Sequence, residues 1–191
     1  MKFSKIEIRD ITVASLVLAF AFGNSINAGL GGYLDALAVV LIAFLPHELL
    51  GHKLVAQKMG AAAEFRMWPT GLLIAAMGSL FGFVFAAPGA VYFSPTVKGD
   101  FAWTIHRFSK REIGKIGLAG PVVNIVIGAL SAVAFAFTGF ALLGYVASFS
   151  FFLAFFNLIP IAPIDGQKVF EWDRKIWAVA IALAVIGYLL T

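Results

Sequence analysis

The chain has 191 residues, 61% hydrophobic and 13% charged, with a formal net charge of +4. Soluble domains are about 45–50% apolar and about 25% charged, so this composition excludes an ordinary soluble domain, and its twenty Phe residues exclude disorder. With no Cys, disulfides and thiol chemistry are excluded, and imidazole chemistry is confined to His47, His52 and His106.

The basic excess reads as the flanks of apolar spans, not as a nucleic-acid surface, because Lys and Arg beside spans set orientation in a bilayer. Five segments, 11–28, 35–59, 113–138, 141–159 and 174–191, each supply about 18 residues or more, which covers most of a hydrocarbon core about 30 Å thick. The first follows Lys2, Lys5 and Arg9 and resembles a signal peptide; the further spans behind it make it an uncleaved anchor. A sixth run, 71–87, is different. If it crossed, Lys98, Arg107, Lys110, Arg111 and Lys115 would lie opposite Lys2, Lys5, Arg9, Lys53, Lys58 and Arg66. The positive-inside bias therefore predicts a re-entrant segment, bent at Gly78, Gly82 and Ala87-Pro88-Gly89.

Between the second and third spans, residues 91–93 and 101–105 read as short strands around a turn at 95–100. Trp68, Trp103, Trp172 and Trp177 fall near span ends, as an aromatic belt would place them. The expected fold is an all-α polytopic membrane protein in which residues 1–191 form a single membrane-embedded domain. It has five to six transmembrane helices, a re-entrant segment and a small cytoplasmic-side β element, with the N-terminus in the cytoplasm.

Three polar groups interrupt the apolar pattern. Pro46-His47-Glu48-Leu49-Leu50-Gly51-His52 lies in or at the end of the second span, where a central charge costs about 2.5–3.5 kcal/mol on insertion scales. Such a cluster needs partners, and a metal is the commonest. Ala119-Gly120-Pro121-Val122-Val123-Asn124 opens the third span; small residues there permit close helix packing, which leaves Asn124 unexplained. Asn157-Leu158-Ile159-Pro160-Ile161-Ala162-Pro163-Ile164-Asp165-Gly166 closes the fourth, and its two prolines break the helix so that Asp165 can turn toward the bundle.

In this order the three motifs resemble those of the site-2 protease family of intramembrane zinc metalloproteases. That pattern is a His-Glu-x-x-His helix, then Gly-Pro-x-x-Asn, then Asn-x-x-Pro-x-x-Pro-x-Asp-Gly, the last met here at every position. The resemblance covers residues 35 to about 170 and looks most like a compact archaeal or bacterial member without a PDZ domain. It implies Zn²⁺ held by His47, His52 and Asp165, Glu48 as general base, and Asn124 and Asn157 lining the substrate site. It also implies a multi-pass cell-membrane protein that cleaves transmembrane protein substrates near the cytoplasmic face.

The first motif departs from that pattern. His47 and His52 are five apart instead of four. In a regular α-helix, five steps of about 100° leave the two side chains about 140° apart, whereas four leave them about 40° apart. A π-bulge around Leu49–Gly51 would return both to one face. Alternatively the ligands shift to Glu48, His52 and Asp165, since Glu48 and His52 are i and i+4. A late helix start at Pro46 would hold His47 outside regular geometry. With no repair, the fold would persist in a catalytically inactive relative that binds transmembrane helices. A metal transporter would use the same residues, but no second acidic cluster along the spans marks a path. His106, among Arg107, Lys110 and Arg111, is expected at the surface.

Overall fold

The computed structural model describes residues 1–26, 29, 31–95 and 108–191. Helix α1 (Lys5–Ser25) begins at Ser4, whose hydroxyl accepts the Glu7 N–H at 3.1 Å. Helix α2 (Gly32–Pro46) continues through a π-helical turn (His47–Lys53) into α3 (Leu54–Lys58), one uninterrupted helix of 27 residues. Strands β1 (Ala61–Met67) and β2 (Gly89–Pro95) pair antiparallel with Phe65 opposite Val91, and α4 (Pro69–Ser79) lies between them in sequence. Helix α5 (Lys110–Thr138) opens on a capping box of Ser109 and Glu112 and stops at Gly139, whose φ of 66° suits glycine. Three helices follow: α6 (Ala141–Asn157), α7 (Asp165–Trp172) and α8 (Arg174–Leu189). The Asp173 carboxylate caps α8 by accepting the N–H groups of Lys175 and Ile176.

The described residues of each of the five apolar segments are mainly helical, but the helix lengths separate them. Among the described residues, only Gly32–Lys58 and Lys110–Thr138 are long and apolar enough to cross a membrane on those two criteria. The expected count of five to six spans is corrected accordingly. Helix α1 carries Glu7, Arg9 and Asp10 in its first two turns. Helix α6 stops at 17 residues, ahead of Pro160 and Pro163, and α8 has 16 after its Asp173 cap; at 1.5 Å per residue both fall several ångströms short of about 30 Å. The run at 71–87 forms only the 11-residue α4 and then leaves helical geometry, too short to cross.

The expected small β element exists, with a different partner. Residues 91–93 lie in β2 as read, yet they pair with 61–67, a stretch whose three alanines give little strand signal. The second expected strand, 101–105, and His106 lie outside the described residues, as does Trp103. Of the other three, Trp68 is exposed and Trp172 and Trp177 are half-buried. Trp68 stacks edge-on against Phe85, Trp172 lies against Gly114, and Trp177 donates its indole N–H to the Leu158 carbonyl at 2.8 Å.

The main core gathers Leu18 and Phe22 of α1, Val39, Val40 and Phe44 of α2, Phe65 of β1, and Phe149 and Leu153 of α6. It fixes the π-helical turn above the sheet and against α5. Two α1 carboxylates hold the outer edge of β1: Glu7 accepts the Phe65 N–H at 3.0 Å and Asp10 the Met67 N–H at 3.3 Å. Among the described residues, the edge of this two-stranded sheet left without a partner is that of β2.

Candidate metal centre

A π-helix bonds i to i+5, so residues five apart become neighbours as residues four apart are in an α-helix. The turn at His47–Lys53 does this for the two imidazoles, whose Nε2 atoms stand 3.0 Å apart. Of the repairs weighed on sequence, the structure adopts the π-helical one. Two glycines make room for it. A Cβ on Gly51 would lie 2.6 Å from the Gly120 Cα, and a Cβ on Gly120 would meet both imidazoles, 2.7 Å from His47 Nε2. Helix α5 thus reaches the turn only because Gly-Pro-x-x-Asn begins with glycine.

Asp165 arrives from the other direction. The chain leaves α6 at Asn157, and the segment around Pro160 and Pro163 carries it to the start of α7. There the Asp165 Oδ2 lies 3.0 Å from His52 Nε2. One donor atom from each of His47, His52 and Asp165 falls within 4.8 Å of the others.

Hydrogen bonds fix which nitrogen of each ring faces inward. The Asn124 amide donates to the Ala43 carbonyl at 2.9 Å, which turns its Oδ1 to His47 Nδ1, so Nδ1 must be the protonated nitrogen. The Ile116 carbonyl, 2.8 Å from His52 Nδ1, imposes the same tautomer there. Both Nε2 lone pairs consequently point at one another and at a carboxylate oxygen. Three converging acceptors repel unless a cation or proton sits among them. Outer hydrogen bonds that orient imidazoles in this way are typical of metal-binding histidines. The N, N, O donor set suits zinc, whose tetrahedral ligands at 2.0–2.1 Å lie about 3.3 Å apart. The residues therefore fit the ion.

Glu48 is buried beside them, and its Oε2 has no hydrogen-bond partner among the described residues. It lines a cavity of about 320 Å³ together with His52, Asp165, Asn157 and Lys168. Trp68, Phe85 and the β2 residues 89–93 form the apolar wall. A larger, more open groove of about 730 Å³ beside the N-terminal segment contains none of the three donors. Every site residue expected from the sequence is thus close to the centre, though in differing roles. Asn124 is fully buried behind His47 and is not among the cavity-lining residues, whereas Asn157 borders the cavity and donates its amide to the Leu153 carbonyl at 2.9 Å. Lys168 was missed by the sequence reading. Its signal was a lysine one helical turn after the motif aspartate, the i,i+3 spacing at which side chains meet. The Ile116 carbonyl, being main chain, leaves no residue-type signal at all.

A buried pair of imidazoles and a carboxylate beside a partnerless glutamate is a metallohydrolase arrangement, and comparison with known proteins agrees with that class. The chain is 38% identical over 195 residues to "Putative zinc metalloprotease MJ0611" of Methanocaldococcus jannaschii, which spans 99% of this chain and 95% of that protein. The chain belongs to the family of that protein, whose name places it with the zinc metalloproteases. No family model matches the chain, and no solved structure does.

Proposed function

We propose that this chain is an intramembrane zinc metalloprotease of the site-2 protease type, hydrolysing peptide bonds in transmembrane segments. The observation that carries the reading is the convergence of three lone-pair-bearing atoms beside the unpartnered Glu48 carboxylate. In this reading His47, His52 and Asp165 hold the zinc. A bound zinc supplies Lewis acidity, which polarises a peptide carbonyl and acidifies water. Glu48 takes the proton from the attacking water and delivers it to the leaving amine, a role suited to a carboxylate whose Oε2 has no partner among the described residues. Asn124 orients His47, and Asn157 borders the bound peptide.

The bilayer as surroundings is supported by what α5 and α8 leave uncovered. Val122, Val126, Leu130, Val133 and Phe137 form an exposed apolar stripe along α5, and Val179, Leu183 and Ile186 form another on α8. Only 28% of the most apolar part of α5 is buried, far from what a soluble core helix shows. The shorter helices then complete a multi-pass domain around the two long ones, with Lys and Arg marking its cytoplasmic side and α4 re-entrant. An unwound substrate pairs along the edge of β2 that has no partner among the described residues, and β2 forms a wall of the cavity.

The test is zinc content per chain in detergent-solubilised protein. About one zinc is expected for a site of three protein ligands with an open fourth position, lost in both His47→Ala and His52→Ala. Loss in His52→Ala alone would move the ligand set to Glu48, His52 and Asp165. No zinc in any sample after reconstitution would leave a catalytically silent relative.

A further inference from the structure

Resting on the zinc reading of the site, we propose that Lys168 is a positioning residue for Asp165, holding one carboxylate oxygen so that the other alone faces the imidazoles. A carboxylate can ligate through one oxygen or two, and a loose one can swing between these modes. Here the two oxygens have different partners. Oδ2 lies 3.0 Å from His52 Nε2, while Oδ1 accepts the Lys168 ammonium at 2.7 Å. A charge-assisted bond of that length withdraws Oδ1 from the centre.

The lysine is itself held in place. Its stem crosses α5 at Gly117, where an added Cβ would come within 3.2 Å of the Lys168 Cβ and 3.4 Å of its Cδ. Gly117 lies one turn before Gly120, the residue under the two imidazoles. The same helix therefore supports the histidines and the arm that fixes the aspartate. The first turn of α7 supplies both members of the pair, so their spacing is set by helical geometry and not by a loop. Lys168 also lines the catalytic cavity, which an ordinary surface ion pair would not do.

The experiment is zinc affinity by chelator competition on purified full-length protein in detergent, for wild type, Lys168→Met and Lys168→Arg, with thermal stability of each. Residues that orient metal ligands typically change affinity 10–100-fold when removed. Lys168→Met is expected to bind zinc about that much more weakly at near-normal melting temperature, and Lys168→Arg, which keeps the donated hydrogen bond, to bind within a few-fold of wild type. Lys168→Met within twofold of wild type would overturn the assignment, as would Lys168→Arg as weak as Lys168→Met, since the defect would then not follow the donated bond. Failure of the zinc reading is a separate result, because wild type itself would take up no zinc, and the proposal would fall with it.

Discussion

Two buried polar clusters begin one residue apart on the same helix, and they are built on opposite plans. Lys53 ends the π-helical turn fully buried, and all its needs are met. Its ammonium donates to both Glu7 oxygens at 2.7 and 2.6 Å and to the Lys2 carbonyl at 2.8 Å, and it lies 4.0 Å from the Phe3 ring centre. Glu7 in turn accepts the Phe65 N–H. His52, the preceding residue, belongs to a cluster where acceptors face acceptors and a neighbouring carboxylate oxygen has no partner. The first cluster joins α1, the turn and the sheet and leaves nothing available for chemistry. The second is incomplete as protein alone. Buried charge marks a working site where it is uncompensated, and merely a joint where it is closed.

The contrast can be broken at its sharpest point with Glu48→Gln. General base catalysis is worth about 10²–10⁴ in rate, so cleavage of a transmembrane-segment peptide in micelles should fall by about that factor. Zinc content and melting temperature should stay at wild-type values. Retained turnover would remove Glu48 from the role of base.

The closed cluster should respond in the other sense. Lys53→Met leaves Glu7 buried without its counter-charge, and breaking such a pair costs about 3–5 kcal/mol. Denaturant or thermal unfolding in detergent should show that loss, while zinc per folded chain is unchanged. Adding Glu7→Gln removes the stranded charge, keeps an acceptor for Phe65, and should regain most of the stability. A fall in zinc content at preserved fold would show that the two clusters are not separable.

The smallest effect belongs to a solvated pair that resembles neither. The Arg66 guanidinium, 2.6 Å away, and the Ser4 hydroxyl hold the Glu64 carboxyl below the usual carboxylate range. A lowered carboxyl contributes stability that is present above its unfolded value and lost as pH falls through its folded one. The melting temperature of Glu64→Gln should therefore lie slightly below wild type at neutral pH, and the gap should close in acid. A gap that persists there would assign the effect to packing.

The apolar segments and the three polar motifs were legible in the sequence because each breaks or keeps a simple pattern. The break after α6 followed from Pro160 and Pro163, whereas the capping box at Ser109 and Glu112 and the stop at Gly139 were not read from the sequence. The five-residue spacing of His47 and His52 was legible as an anomaly, but choosing among its repairs needed the Gly51–Gly120 approach, a contact between distant parts of the chain. The strand at 61–67 was hidden by its alanines and is held by Glu7 and Asp10, residues that sequence alone reads as charges ahead of a span. Helix lengths were overestimated by two residues at the C-terminal ends of α6 and α8, expected to reach 159 and 191 but ending at Asn157 and Leu189.

The π-helical turn has one more consequence, for insertion and deletion. A bulge confines its surplus residue to one turn, so the helix on either side keeps its facing. Leu50 is 52% exposed in the middle of that turn. Removing it would leave His-Glu-Leu-Gly-His, four apart on a plain α-helix, with the following lysine still directed at Glu7. The two spacings are then interchangeable lengths of one part, and exchanging them leaves what lies downstream in place.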